Sequence, residues 1–138
     1  MERTQSTIKR NFTIARAPKI LSIHLNRLAD FDNYGNMVKN NNFVTYGRFL
    51  DLSCIKSLSI DSEYELKSVV VHYGSAQGGH YVTLRKVTFD EVYKQPNHQN
   101  IENDNMTWMY VSDNDINFIS LKDALAERAY MLFYERIN

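Results

Sequence analysis

Several stretches of this chain alternate apolar and polar residues at the two-residue spacing of a half-buried strand. Over residues 19–27, Leu21, Ile23 and Leu25 fall on one side and Ser22, His24 and Asn26 on the other. Residues 29–42 are rich in Asp, Asn and Gly, the composition of a loop or hairpin. A short apolar stretch, 43–52, leads into a polar, irregular one, 53–62. Residues 63–72 predict a second strand. Its unbroken Val69, Val70 and Val71 predict a central position covered on both faces. Residues 74–79 are small and flexible, and 80–87 alternate again as the returning arm of a hairpin. An Asn- and Gln-rich segment with Pro96, residues 88–106, predicts a flexible insertion loop. Residues 107–111 form a strand around Trp108 and Tyr110. Ser120 then opens a short helix, with Asp123 three residues on as the capping-box acid. Residues 130–134 give the last strand. The expected fold class is α+β: about six strands in a mostly antiparallel sheet, with one or two short helices.

Composition narrows the functional classes. The 138 residues are one domain by the size prior, and 43% hydrophobic content is ordinary for a globular chain. Lys plus Arg and Asp plus Glu both number 16, so there is no basic excess and no nucleic-acid partner is expected. The single cysteine, Cys54, excludes an internal disulfide or a Cys-based zinc site and suits a reducing compartment, the cytoplasm or the nucleus. No apolar run is long enough to span a bilayer, and residues 1–16 lack a signal-peptide core. No His and carboxylate set has metal spacing, so neither a metal nor a cofactor is expected. His24 and His72 read as packing or hydrogen-bonding histidines and His98 as a solvated one. Trp108, Tyr110, Tyr130 and Phe133 read as core.

Four segments in order then carry a resemblance. Residues 18–27 read P-K-I-L-S-I-H-L-N-R, and 51–53 read D-L-S. Tyr64, Glu65 and Leu66, then V-V-V-H-Y-G at 69–74 and G-H-Y-V at 79–82, form a histidine box. Residues 129–134 read A-Y-M-L-F-Y. Together they resemble the C-terminal, histidine-bearing portion of the catalytic domain of ubiquitin-specific proteases, the papain-like cysteine deubiquitinases. The resemblance covers nearly all of residues 1–138. It implies the palm-like part of a papain-like cysteine protease domain, with ubiquitin and ubiquitinated proteins as partners.

In that resemblance His80 is the general base that activates a cysteine thiol and later protonates the leaving amine. Gly78 and Gly79 leave room for the Gly-Gly tail of ubiquitin, with Tyr81 beside them as a substrate-binding residue. The orienting residue falls on Ser112 or Asp113. The W-x-x-V-S-D strand at 108–113 is similar to the family's mitochondrial outer-membrane branch, and implies that location for a full-length relative. Ser112 can accept a hydrogen bond but brings no charge to an imidazolium.

No segment matches the family's nucleophile box, G-L-x-N-x-x-x-x-C-Y-x-N-x-x-x-Q, and the zinc-bearing fingers have no counterpart. Cys54 lies in L-S-C-I-K, with no Gly-rich turn or helix start to activate a thiol, and reads as a structural cysteine. The 138 residues alone are therefore expected to be inactive, with the missing N-terminal part of the catalytic domain as a further partner. The alternatives are a non-catalytic ubiquitin-binding module and a truncated, inactive remnant.

Overall fold

The computed structural model describes residues 8–10, 14–28, 30–53, 63–87 and 108–137. The strands are β1 (Ile20–His24), β2 (Asp30–Phe31), β3 (Met37–Val38), β4 (Phe49–Asp51), β5 (Glu63–Gly74), β6 (Gly79–Lys86), β7 (Trp108–Ser112), β8 (Asp115–Ile119) and β9 (Ala129–Arg136). Among the described residues one helix, α1 (Leu121–Ala126), precedes β9. Seven strands form one antiparallel sheet in the order β1-β9-β5-β6-β7-β8, with β4 also on β5, while β2 and β3 make a separate small hairpin.

The sheet is central at β5, as the valine run predicts, but it is not covered on both faces among the described residues. Val69 and Val71 are fully buried, whereas Val70 is half-buried and pairs with Thr83 and Met131 on the other face. Successive side chains of a strand point to opposite faces, so a continuous apolar run still divides its members between two environments. The buried face gathers Tyr64, Leu66, Val69, Val71, Val82, Leu84, Trp108, Leu132 and Tyr134, closed by Ala124 of α1. Leu21, Ile23 and Leu25 pack against it, as their alternation requires. Trp108 joins this core. Tyr130 and Phe133, expected there, stand half-buried outside it: Phe133 alternates with the core residues Leu132 and Tyr134, and Tyr130 sits at the register shift between Ala129 and Met131, which turns it away.

Three tyrosine hydroxyls tie outlying backbone to this core. Tyr64 donates to the Pro18 carbonyl at 2.6 Å, and Tyr134 to that of Gly47 at 2.8 Å. Tyr46 donates to the carbonyls of Ala124 and Glu127 at 2.7 and 3.0 Å, satisfying the end of α1. At the other end of the helix the capping box forms. Ser120 Oγ accepts from the Asp123 amide at 3.1 Å, and the Asp123 carboxylate accepts from the Ser120 amide at 3.1 Å.

Glu65 is the buried acid of the sheet. Arg48 donates to it at 2.9 and 3.0 Å, Lys67 at 2.8 Å and Lys86 at 2.6 Å. Burial alone would raise its pKa; these donors outweigh burial and hold the carboxyl at about 2.

Candidate active site

The β5–β6 hairpin positions His80. Its register sets Tyr73 opposite His80, His72 opposite Tyr81 and Gly74 opposite Gly79. Gly74 has φ +117°, and a β-carbon there would lie 2.5 Å from the Gly78 carbonyl oxygen. A β-carbon on Gly79 would fall on the Tyr73 carbonyl oxygen and lie 2.5 Å from His72 Nε2. The room at Gly79 is therefore taken by the hairpin's own strand, while Gly78 faces open space. The turn is braced from outside. Lys39 Nζ donates to the carbonyls of His72 at 2.6 Å and Gly74 at 3.1 Å, and Gln77 Nε2 donates to the Met37 carbonyl at 3.3 Å.

β7 supplies the partner. It pairs with β6 through Thr83 and Val111, and one more step of that register sets Ser112 across from Val82. His80 and Ser112 thus share a face of the sheet as diagonal neighbours, close enough for long side chains to meet. His80 Nε2 lies 2.8 Å from Ser112 Oγ. The Asp113 carboxylate lies farther from the same nitrogen, at 4.0 Å, beyond hydrogen-bonding distance and largely exposed. Asp113 instead makes the turn: it sits at φ +49° in the two-residue connection between Ser112 and Asp115, which pair directly.

Tyr73, which sequence reasoning passed over, stands on the same face, directly opposite His80. Its hydroxyl donates to Glu127 Oε2 at 3.0 Å. Burial, and then the Glu127 carboxylate, raise its pKa. The signal for Tyr73 was present, since a hairpin closed at Gly74 and Gly79 fixes its partner. Lys39 had no such signal, because it acts on backbone carbonyls 33 and 35 residues away.

Tyr81 occupies the opposite face from His80. It packs on His72 with ring centroids 4.5 Å apart and on Tyr130 at 5.6 Å, and Tyr130 in turn meets His24 at 4.8 Å. His24 and His72 are thus packing histidines, as expected. Burial and the Lys39 charge push the pKa of His72 down. Cys54, His98 and the 88–106 insertion lie outside the described residues. Among the described residues no group of three His, Cys, Asp or Glu is arranged to hold a metal, and no helix is long and apolar enough to cross a membrane.

Residues 2–134 match the family described as ubiquitin carboxyl-terminal hydrolase. The chain belongs to that family. It is 33% identical over 137 residues to ubiquitin carboxyl-terminal hydrolase 1 of Arabidopsis thaliana, covering 94% of this chain and 12% of that protein. Ubiquitin carboxyl-terminal hydrolase 4 of Saccharomyces cerevisiae is 31% identical over 157 residues, covering 99% of this chain and 15% of that protein. Among solved structures, a SAGA DUB module of Ubp8, Sgf11, Sus1 and Sgf73 bound to monoubiquitin matches with a TM-score of 0.73 and 25% identity. The match covers 91% of this chain and 25% of the other. The antiparallel sheet with few helices is thus the hydrolase fold, and the chain corresponds to part of a ubiquitin-specific protease catalytic domain. It spans about one eighth to one seventh of the curated relatives named.

Proposed function

We propose that these residues supply the histidine half of a cysteine-type deubiquitinase that hydrolyses isopeptide bonds after the Gly-Gly tail of ubiquitin. The observation that carries the proposal is the 2.8 Å approach of His80 Nε2 to Ser112 Oγ. With the serine oxygen as acceptor, Nε2 keeps its proton and Nδ1 becomes the basic nitrogen. A thiol on the Nδ1 side gives up its proton to that nitrogen and attacks the carbonyl as thiolate. The imidazolium then protonates the departing amine. Ser112 acts as the orienting residue, fixing ring and tautomer without a counter-charge. Gly78, which faces open space, Gly79 and the exposed Tyr81 remain the proposed contacts of the ubiquitin tail.

No segment of the 138 residues matches the nucleophile box, so we assign the thiol to polypeptide outside this stretch and expect these residues alone to be inactive. The Ser112 strand supports kinship with the mitochondrial outer-membrane branch, and a cytoplasmic or outer-membrane location is proposed on that basis. Fractionation of source cells reads that location directly.

The test uses the native polypeptide that carries this sequence, isolated by an antibody to the 88–106 segment and assayed on a ubiquitin C-terminal amide. His80→Ala is expected to abolish turnover. Ser112→Ala is expected to lower kcat about tenfold or more, with KM little changed. Full activity in His80→Ala would overturn the assignment.

A further inference from the structure

We infer that the cavity beside the end of α1 is a binding site for a small oxyanion, a carboxylate or a phosphate, held by Arg27, Lys39 and Arg128. This inference stands apart from the hydrolase reading. The cavity measures about 370 Å³, and its wall includes these three cations, together with Phe43, Tyr73 and Glu127.

Arg27 is the observation that points to a ligand. It belongs to the first motif segment but lies outside the proposed catalytic chemistry. It is only 5% exposed, and its guanidinium is held entirely by backbone carbonyls: Ala129 at 2.7 Å, Asn40 at 3.0 Å and Asn42 at 2.8 Å. Its Nη2 is buried with no acceptor. A buried cation without a counter-charge, and with an unmade hydrogen bond, is costly on both counts.

The surroundings add to the imbalance. Lys39 also spends its ammonium on uncharged carbonyls. Arg128 is exposed and makes no ion pair with a carboxylate among the described residues. The one carboxylate in the wall, Glu127, is engaged by the Tyr73 hydroxyl. Three cations against one carboxylate leave an excess of two positive charges around the space. Burial lowers the pKa of Lys39, and the charges of Arg27 and Arg128 lower it further, as expected where like charges crowd without an anion between them. Guanidinium and ammonium groups lining a partly enclosed space are suited to carboxylate and phosphate oxygens.

The test is a titration of the full 138-residue chain with inorganic phosphate and, separately, with succinate, at constant ionic strength so that general screening is unchanged. Amide resonances of residues 71–74 and 127–128 and the Arg27 Nε–Hε resonance are followed by NMR. Saturable shifts at these positions are expected with at least one anion, and the tighter of the two names the oxyanion preferred. Arg128→Ala, at an exposed position that leaves the Arg27 contacts in place, is expected to weaken binding about tenfold. Lys122→Ala, on α1 but outside the cavity wall, is expected to leave it unchanged. Linear, non-saturating shifts with both anions would overturn the inference. So would equal affinity in Arg128→Ala and the parent chain. Neither outcome bears on the activity of His80, so the two readings fail separately.

Discussion

A methyl group separates two glycines that stand side by side in sequence. On Gly78 it would meet nothing within 4 Å; on Gly79 it would collide with the Tyr73 carbonyl and the His72 ring. Gly79→Ala is therefore expected to destabilise the chain by about 2 kcal/mol, through overpacking against backbone that cannot yield. Gly78→Ala should cost less than about 1 kcal/mol. Urea midpoints of the two variants check the contrast. The same comparison shows what the sequence could tell about the site. The G-G-H string located His80, but it could not say that one glycine serves the hairpin and the other faces outward. Likewise the S-D pair at 112–113 offered two orienting residues with nothing to choose between them. Backbone geometry favours Ser112 for the proposed role. Ser112 ends a strand on the histidine's own face, while Asp113 adopts φ +49° in the turn that follows. Short polar side chains such as Asp tolerate that left-handed region better than most, so the turn alone accounts for its residue type.

At the scale of elements, periodicity was a good guide wherever one face was buried. β1, β5, β6 and β9 and the capped helix follow from alternation and from Ser120 with Asp123. β8 was missed although Asp115 and Asn117 alternate with Ile116 and Phe118: the run is only five residues long, follows polar turn residues directly, and even Ile116 is exposed in the structure. Its strand character comes from pairing with β7 across a two-residue turn, a tertiary cause. The small hairpin of β2 and β3 was legible only as turn-rich composition, since its register depends on the partner strand. Helix α1 has six residues and little strength of its own, so its cap matters disproportionately. Ser120→Ala removes the acceptor for the Asp123 amide and is expected to cost about 1 kcal/mol, read as a lowered thermal midpoint. Ser120→Asp should retain most of that stability.

Across the whole molecule, the buried face and the Glu65 cluster govern stability. The pKa of Glu65 is about 2 in the fold against an ordinary 4.5, so the folded chain favours the ionised carboxylate. Its contribution is complete above about pH 4.5 and is lost as the pH falls through about 2. The difference amounts to something on the order of 3 kcal/mol. Unfolding midpoints should thus drop through this acid window, and Glu65→Gln should flatten that part of the curve. An unchanged slope in the variant would assign the acid sensitivity to other carboxylates.

The position of β1 in the sheet also has a consequence in time. Among the described residues β1 pairs with β9 alone, Ile20 lying across from Glu135, so β1 has no partner strand until about 115 further residues have been made. At about 5–20 residues per second, that wait is on the order of 6–20 s. Pairings so distant in sequence also close slowly once the chain is complete. Until then Leu21, Ile23 and Leu25 lack the neighbouring strand that seats them on the core, and a chaperone is expected to find this segment exposed on the nascent chain.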